Sequence, residues 1–178
     1  MMLVVDIGNS NATFGLYDGQ WRDTWRIDSN KDLRDQLDVL LNDDLRALPV
    51  EAIVISSVVP SVTERIQKQL EFSFKVKPNL ITPESYVNLP LSVLHPDKIG
   101  SDLVCDAMAA YHLFNADAMV IDFGTALTFT VVSEDKILGV NIAPGLKLAM
   151  KALADNTAQL SEIPLELPTS VIGKDTTT

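Results

Sequence analysis

Val4-Val5-Asp6-Ile7-Gly8 and Val120-Ile121-Asp122-Phe123-Gly124 are two copies of one pattern, an apolar strand that ends in Asp-x-Gly. The two aspartates lie 116 positions apart. A Thr-Phe pair follows each copy, at Thr13-Phe14 and at Thr128-Phe129, 115 positions apart, so the second copy is one residue tighter. Each copy continues into a predicted three-stranded β-meander. Chance similarity of two strand–turn–strand segments is the alternative, but the shared pattern and hairpin length favour an internal repeat.

The segments around the meanders alternate between helical and strand periodicity. We expect Ser29 and Asn30 to cap the first helix, and Ser61 with Glu64 to form a capping box on the second. The predicted elements are a helix bearing Leu33, Leu37, Leu40 and Leu41, a strand from Ala52 to Ser57, a helix from Pro60, a strand from Phe74 to Ile81, a helix from Ser101 to Phe114, and a helix bearing Leu146, Ala149, Met150 and Leu153.

Composition limits the classes of function. The 178 residues are 47% hydrophobic and 21% charged, with a formal net charge of −10, as expected of an acidic globular protein. This charge disfavours nucleic-acid and membrane-surface partners. The single cysteine, Cys105, cannot form an internal disulfide. With no signal-peptide pattern and no apolar run long enough to span a bilayer, we expect a cytoplasmic protein.

The repeated turn carries groups that suit phosphate chemistry. Gly8 and Gly124 allow close approach of the backbone, whose N–H groups can hold phosphate oxygens. A carboxylate beside such a turn can hold a cation that bridges phosphates, and Asp6 could carry Mg²⁺ through water. The alternative for Asp6 is a solvated turn residue, which its repetition at Asp122 disfavours. The sequence contains neither a Walker loop nor a dinucleotide fingerprint.

The paired turns resemble the two phosphate motifs of the acetate/sugar kinase–Hsp70–actin superfamily. Within it, four segments are similar in order and spacing to type III pantothenate kinases. These are the stretch from Val120 to Phe129, Ile142-Ala143-Pro144-Gly145, Gly100-Ser101-Asp102, and Ile172-Gly173-Lys174-Asp175-Thr176.

This resemblance implies an α/β protein with a duplicated ribonuclease H-like (actin-like ATPase) fold, built on mixed five-stranded sheets with helices. It implies a first domain over residues 1–115 and the start of a second over 116–178, whose later strands and helices are missing. The implied activity is ATP-dependent phosphorylation of pantothenate to 4'-phosphopantothenate, the first step of coenzyme A biosynthesis. Family members are homodimers with the substrate pocket near the subunit interface.

The resemblance also implies site residues. Asp102 matches the catalytic base, Asp122 matches the ligand of a monovalent cation, K⁺ or NH₄⁺, and Asp6 is the candidate for Mg²⁺. The matches to ATP-binding residues are Asp6, Ile7, Gly8, Asn9, Ser10, Asn11, Ala12, Thr13 and Thr125, and those to substrate-binding residues are Gly100, Ser101, Asp102, Leu103 and Thr176.

Some features leave alternatives open. Asp102 is predicted in the first turn of a helix, where an acidic residue commonly serves only as a cap. The family's Gly-x-Asp-Arg ends in Leu103 here, and its substrate-contacting tyrosine has no counterpart at Val93-Leu94-His95, with Tyr86 further upstream. The alternative function is therefore a catalytically impaired, nucleotide-binding subunit or regulator. A transcriptional activator is a third possibility, which the acidic charge disfavours.

Overall fold

Twelve regular elements build the protein, in a computed structural model that describes residues 1–29, 33–45, 47–158, 160, 165 and 170–174. A π-helical turn at Leu40–Asp44 extends α1, and two 3₁₀ turns at Pro83–Asn88 and Pro96–Lys98 precede α3. The elements are β1 (Met2–Ile7), β2 (Asn11–Tyr17), β3 (Trp21–Asp28), α1 (Leu33–Val39), β4 (Ala52–Ser57), α2 (Pro60–Phe74), β5 (Asn79–Leu80), α3 (Ser101–Phe114), β6 (Ala118–Phe123), β7 (Ala126–Ser133), β8 (Lys136–Pro144) and α4 (Leu146–Asn156).

The first unit forms a mixed five-stranded sheet in the order β3-β2-β1-β4-β5. The meander β1-β2-β3 is antiparallel, whereas β4 and β5 run parallel to β1. The second unit forms a three-stranded antiparallel sheet in the order β6-β7-β8. This arrangement is the α/β architecture with a mixed five-stranded sheet that the family resemblance implies.

The strand register confirms the repeat. Asp6 pairs with Thr13 across β1 and β2, and Asp122 pairs with Thr128 across β6 and β7. Three residues, 8–10, connect the first pair of strands, but only two, 124 and 125, connect the second. The shorter loop accounts for the one-residue difference between the two copies.

Strand alternation assigns the two faces of the first sheet. Leu3, Val5 and Ile7 are fully buried in a core with residues of α1 and α2. Because successive side chains point to opposite faces, Val4 and Asp6 project from the other face. That face carries the candidate site.

Helix α3 joins the two sheets, since it contacts β4 on one side and β6 and β7 on the other. Its buried Ala107 packs in a small cluster with Leu91 and Val132 of β7. The helix ends at Asn115, which adopts a left-handed conformation with a φ of 46°. No helix among the described residues is long and apolar enough to cross a membrane.

One predicted strand is much shorter than expected. The strand predicted from Phe74 to Ile81 is wrong over its first half, because α2 continues to Phe74 and only Asn79–Leu80 pair with β4. Pro78 lacks the N–H that would extend the ladder towards the helix.

Two predicted helix caps also differ. The N-cap of α2 is Val59 with Pro60 in the first turn, so Ser61 lies inside the helix and forms no capping box. The hydroxyl of Ser29 donates to the carbonyl of Gly8, and Asn30 lies outside the described residues.

Candidate active site

A cleft of about 520 Å³ opens between the two sheets, with α3 along one wall. Both Asp-x-Gly turns and the carboxyl ends of β1 and β4 line it. Nine of the predicted site residues surround this cleft, and these are Asp6, Gly8, Asn9, Ser10, Asn11, Thr13, Asp102, Asp122 and Thr125.

The two turns contact each other at the mouth of the cleft. The hydroxyl oxygens of Ser10 and Thr125 are 2.7 Å apart and share a hydrogen bond. Within each turn the glycine N–H donates across the loop, from Gly8 to Asn11 O at 2.9 Å and from Gly124 to Ala126 O at 3.0 Å. The repeat therefore places equivalent loops face to face, as a two-sided phosphate site requires.

Ser29 holds the first loop from behind. Its hydroxyl donates to Gly8 O, and its backbone N–H donates to Ser10 O, both at 2.9 Å. The residue that follows β3 thus fixes two carbonyl groups of the loop. These two hydrogen bonds restrict the conformations that the loop can adopt.

A row of polar side chains crosses the sheet beneath the loops. The register pairs Arg26 with Thr13, Thr13 with Asp6, and Asp6 with Ser56, across β3, β2, β1 and β4. All four residues line the cleft, and Arg26 is the only cationic side chain among the described residues that do so.

Helix α3 brings two further carboxylates into the cleft, from Asp102 and Asp106. They lie one turn apart on one face of the helix. One carboxylate oxygen of Asp102 accepts the Leu103 N–H at 2.8 Å, while Gly100 provides the N-cap position without a side chain. Asp102 thus stabilises the first turn of the helix and faces the cleft at the same time.

Burial, together with the crowding of acidic groups, raises pKa values in the cleft. Burial, followed by the charges of Asp122, Asp102 and Asp6, raises the pKa of Asp106 to about 6. Burial also raises the pKa of Asp6, an effect that the nearby Ser56 hydroxyl opposes and the charges of Asp102 and Asp122 reinforce. Burial raises the pKa of the Cys105 thiol to about 11, so this thiol is protonated at neutral pH.

The donor set fits hard cations. Carboxylate and hydroxyl oxygens are the ligands that Mg²⁺ prefers, usually one or two carboxylates together with water and substrate phosphates. Within the described ranges, no three acidic, histidine or cysteine side chains converge on a ready-made metal position. A cation here would therefore be shared between one or two aspartates and the phosphates that it accompanies.

The structure also locates the remaining predicted residues. Ile7 and Ala12 are fully buried in the core, so they can contribute to the loops only through their backbone. The side chains of Ser101 and Leu103 are buried in the wall behind the cleft. Thr176 lies outside the described residues.

Sequence reasoning missed several cleft residues. Asp106 follows Asp102 by four positions on a predicted helix, a spacing that signals a shared face. Burial raises the pKa of Tyr86, and the nearby Cys105 and Asp102 raise it further, but this buried tyrosine is not among the described residues that line the cleft. No short-range signal identifies Arg26 or Ser56, whose positions depend on strand register.

Comparisons with known proteins agree with this architecture. A family model described as type III pantothenate kinase matches residues 2–178. A type III pantothenate kinase from Parafrankia sp. (strain EAN1pec) is 34% identical over 180 residues, covering 99% of this chain and 71% of that protein.

Two crystal structures show the same fold. A Campylobacter jejuni protein assigned to the Baf family of transcriptional activators matches with a TM-score of 0.58 and 22% identity, over 98% of this chain and 69% of that one. A Sinorhizobium meliloti protein assigned as a 2-dehydro-3-deoxygalactonokinase matches with a TM-score of 0.52 and 14% identity, over 88% and 57%. With the family match along its length, this chain belongs to the type III pantothenate kinase family.

Proposed function

We propose that the cleft binds ATP between the two turns and that the chain transfers the γ-phosphoryl group to the primary hydroxyl of pantothenate. Family membership supports the activity. The observation that carries the assignment of the site is the contact between Ser10 and Thr125, which brings both phosphate turns to one cleft that Asp102 also faces. The family match and the named relatives do not favour the impaired regulator.

The proposed chemistry depends mainly on positioning and charge neutralisation. Asp102 accepts a hydrogen bond from the attacking hydroxyl and aligns it with the γ-phosphorus. The loops at Gly8–Asn11 and at Gly124–Thr125 hold the phosphates from two sides. Arg26 supplies a fixed positive charge, a role that buried Leu103 cannot fill.

Cations would complete the site. We propose that Asp6 holds Mg²⁺ and that Asp122 holds K⁺ or NH₄⁺, and such ions would neutralise the charge that develops on the transferring phosphate. The four aspartates of the cleft support this proposal, because a nucleotide without cations would meet mutual repulsion there.

The wider organisation is also a proposal. We place the boundary between two ribonuclease H-like domains, 1–115 and 116–178, at the left-handed end of α3, where the first unit ends and the repeat begins. Family membership further supports a homodimer in the cytoplasm. Light scattering of the purified protein tests the dimer.

The function is tested by incubating the purified chain with ATP, pantothenate, Mg²⁺ and K⁺, and measuring ADP release and phosphopantothenate by mass spectrometry. We expect Asp102→Asn to lower kcat at least about 100-fold, because the hydroxyl loses its charged partner. The matched control is Asp97→Asn, an exposed carboxylate just before α3. A wild-type chain without turnover, or an Asp102→Asn variant with full activity, would contradict the proposal.

A further inference from the structure

Ser56 is a buried hydroxyl beside a proposed cation ligand. It lies on β4, and its Cα is the direct partner of Asp6 on the parallel strand β1. Both side chains project from the same face of the sheet and line the cleft. Only 6% of Ser56 is exposed, so its hydroxyl has to find partners within the protein.

The partner behind Ser56 is Ser101, the first residue of α3. The two hydroxyl oxygens are 3.0 Å apart. The Ser101 oxygen also accepts the Ser57 N–H at 3.0 Å and lies 3.3 Å from the Ser57 carbonyl, to which it can donate. Ser101 is therefore fastened to the end of β4, and it offers Ser56 a fixed partner.

A count of protons favours one arrangement of these bonds. Ser101 has a single hydroxyl proton, which it can give either to the Ser57 carbonyl or to Ser56. If Ser56 accepts that proton, its own proton is available either to Asp6 or to the neighbouring thiol of Cys105. A hydrogen bond to an ionised carboxylate is about twice as strong as one between neutral groups, so ionised Asp6 favours this second arrangement.

We propose that Ser56 is a positioning residue for the phosphoryl transfer: anchored by Ser101, its hydroxyl donates to Asp6 and fixes the orientation of that carboxylate in the cleft. The proposal rests on the proposed function of the site. Because Ser101 directly precedes Asp102, the same bonds tie Asp6 on the sheet to the helix turn that carries the proposed base. The pKa of Asp6 is raised by burial, and Ser56 offsets part of that rise, as donation by its hydroxyl would.

The test compares Ser56→Ala, Ser56→Thr and Ser57→Ala. Ser57 is the matched control, because its hydroxyl bonds to Thr63 and accepts the Val59 N–H, away from Asp6. The affinity for MgATP is measured by calorimetry without pantothenate, together with kcat, KM and thermal stability. We expect Ser56→Ala to weaken MgATP binding and to lower kcat, each about tenfold, as loss of a group that orients a metal ligand does.

The other variants separate positioning from general stability. Ser56→Thr keeps a hydroxyl and should retain most of the affinity for MgATP. Ser57→Ala should lower the melting temperature without weakening the binding of MgATP. Unchanged affinity in Ser56→Ala, or equal losses in Ser56→Ala and Ser57→Ala, would overturn the proposal.

Two further results remain decisive. If Ser56→Ala does not fold, Ser101→Ala is tested instead, because it removes the residue that anchors Ser56. This variant should also weaken the binding of MgATP. Unchanged affinity would overturn the proposal. If the wild-type chain binds MgATP but does not phosphorylate pantothenate, the proposed function fails, while the affinities still decide the role of Ser56.

Discussion

At the scale of single residues, the charge balance of the cleft depends on Arg26. Four aspartates line the cleft, and among the described lining residues this guanidinium alone opposes them. Its pairing with Thr13 on the neighbouring strand places it in the polar row that also contains Asp6. An anionic substrate that enters the cleft would therefore meet Arg26 as its fixed counter-charge.

Arg26→Gln should raise the KM for ATP about tenfold, because a hydrogen bond to a charged group is lost. The control is Arg22→Gln on the same strand, whose guanidinium instead pairs with Asp18 at the hairpin, at 2.8 Å. Steady-state kinetics with varied ATP measure both variants. Equal KM values for Arg22→Gln and Arg26→Gln would contradict a role of Arg26 in binding ATP.

Asp106 gives a prediction for stability. Its pKa is about 6 in the folded protein, against an ordinary value of 3.8. Between these pH values the folded state binds more protons than the unfolded state, so the free energy of unfolding falls as pH rises from about 4 to about 6. Well above pH 6 Asp106 is ionised in the folded protein, and its buried, crowded charge lowers the free energy of unfolding by the full amount.

Asp106→Asn removes this penalty. Without divalent cations, we expect the variant to be more stable than the wild type by about 1–2 kcal/mol at pH 8, a value reduced by solvent in the open cleft. The gain should shrink towards pH 4. Urea unfolding at pH 8 and pH 5 measures the difference, with Asp97→Asn as the exposed control. A gain that does not depend on pH would contradict the proposed charge crowding.

At the scale of elements, the junction of β8 and α4 supports the second turn. Gly145 is the N-cap of α4, and its N–H donates to the Thr125 carbonyl at 3.0 Å. A Cβ at this position would overlap the carbonyl oxygens of Gly124 and Thr125. The close approach of helix and turn therefore requires glycine here.

Gly145→Ala should lower stability by about 1–3 kcal/mol and raise the KM for ATP, because the turn has to move to make room for the methyl group. The matched control is Gly139→Ala on β8, where a Cβ would meet nothing within 4 Å. Chemical denaturation and ATP kinetics test the pair. If both variants behave alike, the contact between α4 and the turn does not support the site.

Helix and strand predictions succeeded where local patterns dominate. The predicted bounds of α3, from Ser101 to Phe114, match the structure because apolar periodicity and the flanking residues agree. The strand predicted from Phe74 fails over its first half because α2 runs to Phe74 and ends at a left-handed Lys75, and only pairing with β4 sets where the strand begins.

At the scale of the whole molecule, acidity sets the conditions for binding. The chain carries a formal net charge of −10, and the cleft gathers four of its aspartates. ATP alone adds further negative charge to this cleft, whereas MgATP brings part of its neutralisation with it. Nucleotide binding should therefore depend strongly on the divalent cation.

MgATP at about 100 times its Kd should stabilise the protein by about 2.7 kcal/mol, which is about 5–10 °C in melting temperature for a chain of this size. ATP with a chelator should shift the melting temperature much less at the same concentration. Differential scanning fluorimetry measures both, with Mg²⁺ alone as the control. Equal shifts with and without Mg²⁺ would show that the aspartates do not govern nucleotide binding.

By itself the sequence determined the repeat, the two Asp-x-Gly turns around Asp6 and Asp122, and the position of Asp102 in the first turn of α3. Each of these follows from short-range patterns of apolar and turn residues. Only the tertiary structure decided that Arg26 and Ser56 join Asp6 in one row, because strand register is set by pairing between distant segments. The raised pKa of the second α3 carboxylate in the cleft is also a tertiary effect, because it comes from burial and from aspartates on both sheets.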